Sequence, residues 1–380
     1  MKIRFEKAKM LEKLVRAMGA VSSKNTHPFT EGVLLETAGN RLKLSTYDME
    51  KSVRASIEAE ILIEGGCVIN AQRLLSIVRI LPENEITMTV DDELLVTIQS
   101  GRSSFSLHAL AAKDFPQMPV IVGRESFTME QCVLKKMLAK TAHSIAQIDQ
   151  RPVLCGAFFK LEPDNIKVVT CDSYTLSVCD YKTPVLSMIE NLERTSFIVP
   201  GKTVAELSKM LSDEEGQFLT IMVTAKNIIF NMENLVFSSR LVEGEYIDYD
   251  RLIPKDQPIE AIMDAAAFTA ALERAALISE ERIAGTAKNY VKLTLKDGIM
   301  QVSSRSANGN IIEEVPAEQI GDEIVIGFNC RYLLDALRAV PDGECMLELS
   351  NGLSPIVLTP CDDTRRYSYM VLPVRLKAGE

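Results

Sequence analysis

The stretch Pro200-Gly201-Lys202-Thr203 has the residue types of a phosphate-cradling loop, in which a lysine and a hydroxyl meet the terminal phosphates of a nucleotide. The complete pattern needs a glycine five residues before Gly201, and Ser196 stands there. The segment is therefore expected to begin a helix and not to hold a nucleotide. No G-x-S-x-G elbow and no H-E-x-x-H pair occurs in the chain. The three histidines (His27, His108, His143) lie far apart, and the eight cysteines include no C-x-x-C, so no metal site is expected. Those cysteines read as reduced core residues of a cytosolic protein. Asp48 and Asp172 share a context, "STYDME" and "VTCDSY". Acids at strand ends can transfer protons, but they also cap turns, which is the expectation here. The chain carries no catalytic constellation, and neither an enzyme nor a cofactor is expected.

The elements that hold these residues are bounded first by the totals. A chain of 380 residues is too long for one ordinary core and implies two or three domains. With 47% apolar and 25% charged residues it has the composition of a globular protein. No apolar run reaches the roughly 18 residues of a membrane span. The opening MKIRFEKAKM has charge but no apolar block after it, so no secretory leader is expected. The net charge of −10 argues on its face against a nucleic-acid partner.

An internal repeat changes that reading. "VINAQRLLSIVRILP" (68–82) returns as "IVPGKTVAELSKMLS" (198–212) and "GFNCRYLLDALRAVP" (327–341). A shift of 259 residues pairs Asn70 with Asn329, Leu74 with Leu333, Arg79 with Arg338 and Pro82 with Pro341. A shift of 130 pairs Arg79 with Lys209 and Gln72 with Lys202. A helical stretch also opens each third, from Lys7, Gln131 and Asp264. A hairpin follows each, turning at Gly39-Asn40, at Pro163-Asp164-Asn165 and at Asp297-Gly298. The thirds close on "SSFSLHAL", "LVFSSRLV" and "YSYMVLPV". The expected fold is α+β: three tandem units of two helices on antiparallel sheet, spanning 1–122, 123–253 and 254–380. Three such units leave sheet edges free at both ends of the chain. Head-to-tail pairing with a second copy would cover them and give a six-domain ring.

The repeat also locates the positive charge. Six helical windows (7–20, 70–80, 131–146, 201–212, 264–279, 329–340) carry 14 Lys and Arg against 5 Asp and Glu. They stand at +9, and the remainder of the chain at −19. Any one basic helix face is ordinarily just solvated. Six of them on an acidic body can surround a polyanion and repel it elsewhere. With no Trp and 6% aromatic residues, no stacking platform is evident, so sequence-independent phosphate contact is the expected mode.

The laid-out chain resembles the β subunit of bacterial DNA polymerase III, the sliding clamp, along almost its whole length. The resemblance is carried by "SGRSSFSLHALAAKDFPQMP" (100–119), "LVEGEYIDYDRLIP" (241–254), "IGFNCRYLLDALRAV" (326–340) and "YMVLPVRL" (369–376). It implies a cytoplasmic homodimeric ring around duplex DNA. The ring would tether the polymerase catalytic subunit for processivity, be opened by a clamp loader, and have no catalytic activity and no membrane association. The alternative is a diverged clamp-like scaffold that binds proteins without encircling DNA.

Carried over position by position, the resemblance places Lys24, Arg73, Arg79, Arg151, Lys202, Lys209, Arg331 and Arg338 towards DNA. It places Phe105 and Leu107 in the dimer contact against Leu277 and Ile278, with Arg102 near Glu313 or Glu314. Other clamp-motif proteins, polymerase and loader would share one cleft. Its matching positions are Leu154, Cys171, Ser173, Tyr174, Thr175, Leu176, Ile247, Arg251 and Leu252, with Met370, Val371, Leu372, Pro373, Val374 and Arg375. Many members have His-Arg where this chain has Tyr174-Thr175, and proline at Ile247; the cleft is expected to remain apolar. Residues 377–380 run past the family's usual terminal leucine.

Overall fold

The computed structural model describes residues 1–22, 27–119, 126–162, 165–182, 196–279, 282–283, 286–287, 290–306, 309–340, 343–361 and 366–376. Six helices recur in pairs at fixed places. The first members are α1 (Lys7–Ala17), α3 (Gln131–Thr141) and α5 (Ala265–Ser279); the second members are α2 (Ala71–Ile80), α4 (Gly201–Met210) and α6 (Cys330–Ala339). Gly201 indeed starts a helix. The second-member helices begin where repeat alignment puts them, and local chemistry explains two of the starts. The Asn70 side chain accepts from the Arg73 backbone N–H (3.0 Å), and Asn329 accepts from that of Arg331 (3.0 Å). On α6 the residues Cys330, Leu333, Leu334, Ala336, Leu337 and Ala339 are buried, leaving Arg331 and Arg338 outside.

The hairpins turn as the sequence expects wherever they are described. Gly39 sits at φ +60, and Asp297 and Gly298 at φ +51 and +76, the left-handed values that two-residue hairpin turns demand. Residues 163–164 of the middle turn lie outside the described part. Asp48 and Asp172 are turn caps. Each accepts two backbone N–H groups two and three residues on, at 2.7 to 3.0 Å for Asp48 and 2.6 to 2.9 Å for Asp172.

Strand registers make the repeat exact to the residue. One ladder runs Ile3–Met88–Ile98–Phe105, then Phe127–Ile221–Phe230–Phe237, then Ala261–Leu347–Leu358–Tyr369. The other runs Leu35–Leu44–Ala55, then Phe159–Val168–Cys179, then Leu293–Val302–Glu313. Every hairpin half therefore ends on an outer strand: Lys51–Glu58, Thr175–Lys182 and Asn310–Pro316. Every unit closes on Ser103–His108, Leu235–Arg240 or Tyr367–Val371.

Two of these outer strands meet two of the closing strands. Lys51–Glu58 pairs with Leu235–Arg240, Val53 opposite Phe237, and Thr175–Lys182 pairs with Tyr367–Val371, Ser177 opposite Tyr369. The two seams are in the same register by the repeat. Each creates a nine-stranded antiparallel sheet from the halves of adjoining repeats. The chain consequently divides into two compact units that cut through the middle repeat. Strands 126–130 and 218–240 of that repeat belong with the first repeat, and strands 156–182 and 196–200 with the third. Each unit also holds a five-stranded sheet. In one, Ser103–His108 is an edge strand; in the other, Asn310–Pro316 is.

The core of the first unit is centred on Ile3, Met10, Leu14, Leu35, Leu74 and Val78, under α1 and α2. That of the third repeat gathers Phe268, Leu272, Val291, Phe328, Leu333 and Leu358. Burial pushes the thiols of Cys67, Cys179 and Cys345 up to about 12, so these cysteines are protonated packing groups. Among the described residues no helix is long and apolar enough to cross a membrane.

Candidate functional site

The seam Thr175–Lys182/Tyr367–Val371 carries on one face a separate apolar cluster. Ala146, Leu154, Val169, Cys171, Leu176, Tyr249, Val357 and Met370 are buried in it. Ile247, Leu372, Tyr246 and Phe158 pack against them, with the Phe158 and Tyr246 rings stacked at 4.9 Å. The short turn Pro152–Cys155 delivers Leu154, and the segment after Val242 delivers Tyr246, Ile247 and the turn Tyr249–Arg251. Six of the expected cleft residues are thus gathered by one face of the sheet: Leu154, Cys171, Leu176, Ile247, Met370 and Leu372.

The others surround this cluster or leave it. Ser173 takes φ +77 after the Asp172 cap, which turns Tyr174 outward, 56% exposed. The Leu372 backbone N–H donates to the Tyr174 carbonyl (2.9 Å). Arg251 is exposed and paired with Asp248 (2.9 Å), and Leu252 is exposed beside it. Val371 points the other way, into the core of the third repeat, because side chains alternate along a strand. Pro373 and Val374 pair with Phe328 and Gly327, and Arg375 follows them into solvent.

The polar flank of the cluster is a relay. The Thr175 hydroxyl is shared as donor between two acceptors, the Asp172 carboxylate (2.9 Å) and the Ser144 hydroxyl (2.8 Å). Ser177 and Ser144 are 2.8 Å apart, and Ser177 lies 3.1 Å from His143 Nε2. A continuous chain of polar contacts therefore links His143 Nε2, Ser177, Ser144, Thr175 and Asp172. Burial pushes the His143 pKa down, with Asp335 and Asp172 acting the other way. All four hydroxyl and imidazole groups are spent on one another, and Ser144, Thr175 and Ser177 are buried, so this is a positioning network and not a nucleophile. Beside it Arg151 donates to Asp149 from its backbone N–H (2.8 Å) and guanidinium (3.2 Å), holding that carboxyl low, and to the Ser173 hydroxyl (2.7 Å).

Two residues that sequence reasoning missed complete the rim. Tyr332 of α6 stacks on Tyr174 at 5.6 Å and 20°. Val357 forms part of the cluster floor. Tyr332 had a signal, being the one aromatic residue on α6 next to Arg331; Val357 had none beyond strand alternation.

Arg73, Arg79, Lys202, Lys209, Arg331 and Arg338 stand on exposed helix faces, and Arg151 precedes the short turn Pro152–Cys155. Arg73 and Arg79 have no carboxylate partner among the described residues. Lys209 is paired with Glu206 (2.8 Å), Arg331 with Asp335 (3.9 Å) and Arg338 with Glu273 (2.8 Å). Lys202 is exposed at the first turn of α4, and Lys24 lies outside the described residues. At the expected dimer positions, Phe105 and Leu107 are half-buried against the first repeat's own core, Leu277 is 80% exposed, and Ile278 is half-buried. Glu313 already receives two bonds from Arg274 (2.8 and 2.7 Å), whereas Arg102 and Glu314 are exposed.

Three copies of a two-helix sheet unit, fused at two seams and bearing basic helices, define a DNA-clamp type of protein. The family models agree in kind and order: the N-terminal domain of the DNA polymerase III beta subunit matches residues 1–119, the central domain 128–248 and the C-terminal domain 250–375. The beta sliding clamp of Halalkalibacterium halodurans is 32% identical over 368 residues, covering 94% of each chain. That of Bacillus subtilis is 30% identical, covering 99% of this chain and all of the relative. The crystal structure of the DNA polymerase sliding clamp from Bacillus subtilis superposes with a TM-score of 0.91 at 28% identity, over 99% of this chain and 100% of that one. A putative DNA polymerase III beta subunit from Eubacterium rectale gives the same score, identity and coverage. The chain belongs to the DNA polymerase III beta subunit family, the bacterial sliding clamps.

Proposed function

We propose that two copies close head to tail into a six-domain ring around duplex DNA and tether the replicative polymerase. The observation that carries this reading is which strands remain unpaired. The repeat joins an outer strand to the next repeat's closing strand twice, and leaves the third outer strand, Asn310–Pro316, and the first closing strand, Ser103–His108, as edges. A partner's copy satisfies both edges at once.

The two seams within the chain set the register of the third. Phe237 faces Val53 and Tyr369 faces Ser177, so Phe105 faces Ile311 of the partner, the equivalent of both. Counting outward, Arg102 faces Glu314, while Glu313 stays with Arg274. Helix equivalence adds a second contact. Gly19, just past α1, packs against Met210 at the end of α4. Their counterparts are Leu277 and Ile80, exposed at 80% and 71%, which the dimer would bury against each other. Ile80 extends the expected contact of Leu277, Ile278, Phe105 and Leu107.

The ring's DNA contact is non-catalytic and sequence-independent, through Lys24, Arg73, Arg79, Arg151, Lys202, Lys209, Arg331 and Arg338. Clamp loader, polymerase and other clamp-motif proteins dock in the cluster around Leu154, Leu176 and Met370, where flexible apolar side chains stand beside few polar groups. Domains of 1–122, 123–253 and 254–380 and a cytoplasmic location complete the reading. Native mass measurement of the full chain tests it: a dimer is expected, and a monomer at micromolar concentration would overturn it.

A further inference from the structure

The face of the first seam that corresponds to the apolar cluster of the second holds a different chemistry. Leu176, Val178 and Met370 in the second seam correspond by register to Ser52, Arg54 and Ser238 in the first. The Ser52 and Ser238 hydroxyls bond each other (2.6 Å). They lie in a pocket of about 180 Å³ whose apolar wall is Met222, Ile229, Val236 and Pro119. Arg54 stands at this pocket, exposed and with no carboxylate partner among the described residues. Asn231 adds an exposed amide on the same face.

From this geometry we infer a second peptide site at the first seam, taking an extended segment in which an aliphatic side chain neighbours a carboxylate. The aliphatic side chain enters between Met222 and Ile229. The carboxylate meets the Arg54 guanidinium, whose planar fork suits it bidentately. The serine pair and Asn231 offer both donors and acceptors, which matches a peptide amide. A single cation argues against nucleic acid, which is held by several phosphate contacts. The second seam presents no cation at the equivalent position, Val178, so the two sites select different sequences.

The test uses the full-length chain with labelled methionine and isoleucine methyl groups, and the probe acetyl-Gly-Leu-Asp-Gly-amide. Saturable shifts are expected at Met222 and Ile229. Arg54→Gln in the protein, or Asn for Asp in the probe, should each weaken binding by about tenfold, the worth of one charge-assisted bond. Ser238→Leu, which fills the pocket, should abolish the shifts. Shifts confined to Met370, equal binding of the Asp and Asn probes, or no effect of both substitutions would overturn the inference.

Discussion

His143 and Tyr369 face each other across the second seam, ring centroids 5.7 Å apart and tilted by 44°. Tyr369 in turn donates to the Ala339 carbonyl at the end of α6 (3.0 Å), and His143 heads the relay that ends on Asp172. The joint between the second and third repeats is therefore built round a half-buried imidazole whose pKa the fold pushes down.

Because the folded pKa of His143 lies below its ordinary 6.5, the unfolded chain binds the proton more readily. The stabilisation is complete above about pH 6.5 and is lost as pH falls through the folded value, at no more than about 1.4 kcal/mol per unit. Asp335 and Asp172 limit the loss. The His143 imidazole resonance should titrate below 6.5, and His143→Gln should flatten the slope of denaturant stability between pH 5 and 7. A midpoint at or above 6.5 contradicts this.

Leu277→Lys or Ile80→Glu should each raise the dimer dissociation constant by about a hundredfold or more. One aliphatic contact of about 1.5 kcal/mol is lost at each of two identical interfaces. Sedentary monomers with unchanged circular dichroism are expected in sedimentation velocity; an unaltered dimer would reject the helix equivalence.

Arg102→Glu and Glu314→Arg should each weaken the dimer, and the double variant should recover about 0.5–1 kcal/mol, as expected for an exposed pair. The same exchange made with Glu313 should recover nothing, since Glu313 is held by Arg274. A double-mutant cycle that couples Arg102 to Glu313 instead would shift the register by one residue.

Removing residues 372–376 should abolish binding of clamp-motif peptides in fluorescence anisotropy while leaving the dimer. Those residues carry Leu372 of the cluster and the pairing of Pro373 and Val374. Unaltered affinity would remove them from the site.

The six helices, the hairpins and the closing strands were legible in the sequence because each has a local period or a turn residue that demands it. Leu74, Leu75 and Val78 mark the buried side of α2, and Asp297-Gly298 marks the hairpin turn of the third repeat. The seams were not legible. Val53 and Phe237 are far apart in sequence, and alternation suits an edge as well as a central strand. The same ambiguity let Val371 be counted in the cleft although it faces the core. Leu154, Leu176 and Met370, named together from the resemblance, lie in one apolar cluster, whereas Tyr332 and Ile80 stand out only through stacking and exposure.

Retention on DNA tests the central claim most directly. The full-length chain is loaded by a clamp loader with ATP onto nicked circular DNA, the complex is isolated by gel filtration, and the circle is then cut once. Encirclement predicts stable retention on the circle and release on linearisation. It also predicts faster loss from the circle at raised salt when Arg79, Lys209 and Arg338 are neutralised together. Equal retention before and after cutting, or stable binding to linear DNA without a loader, would contradict it.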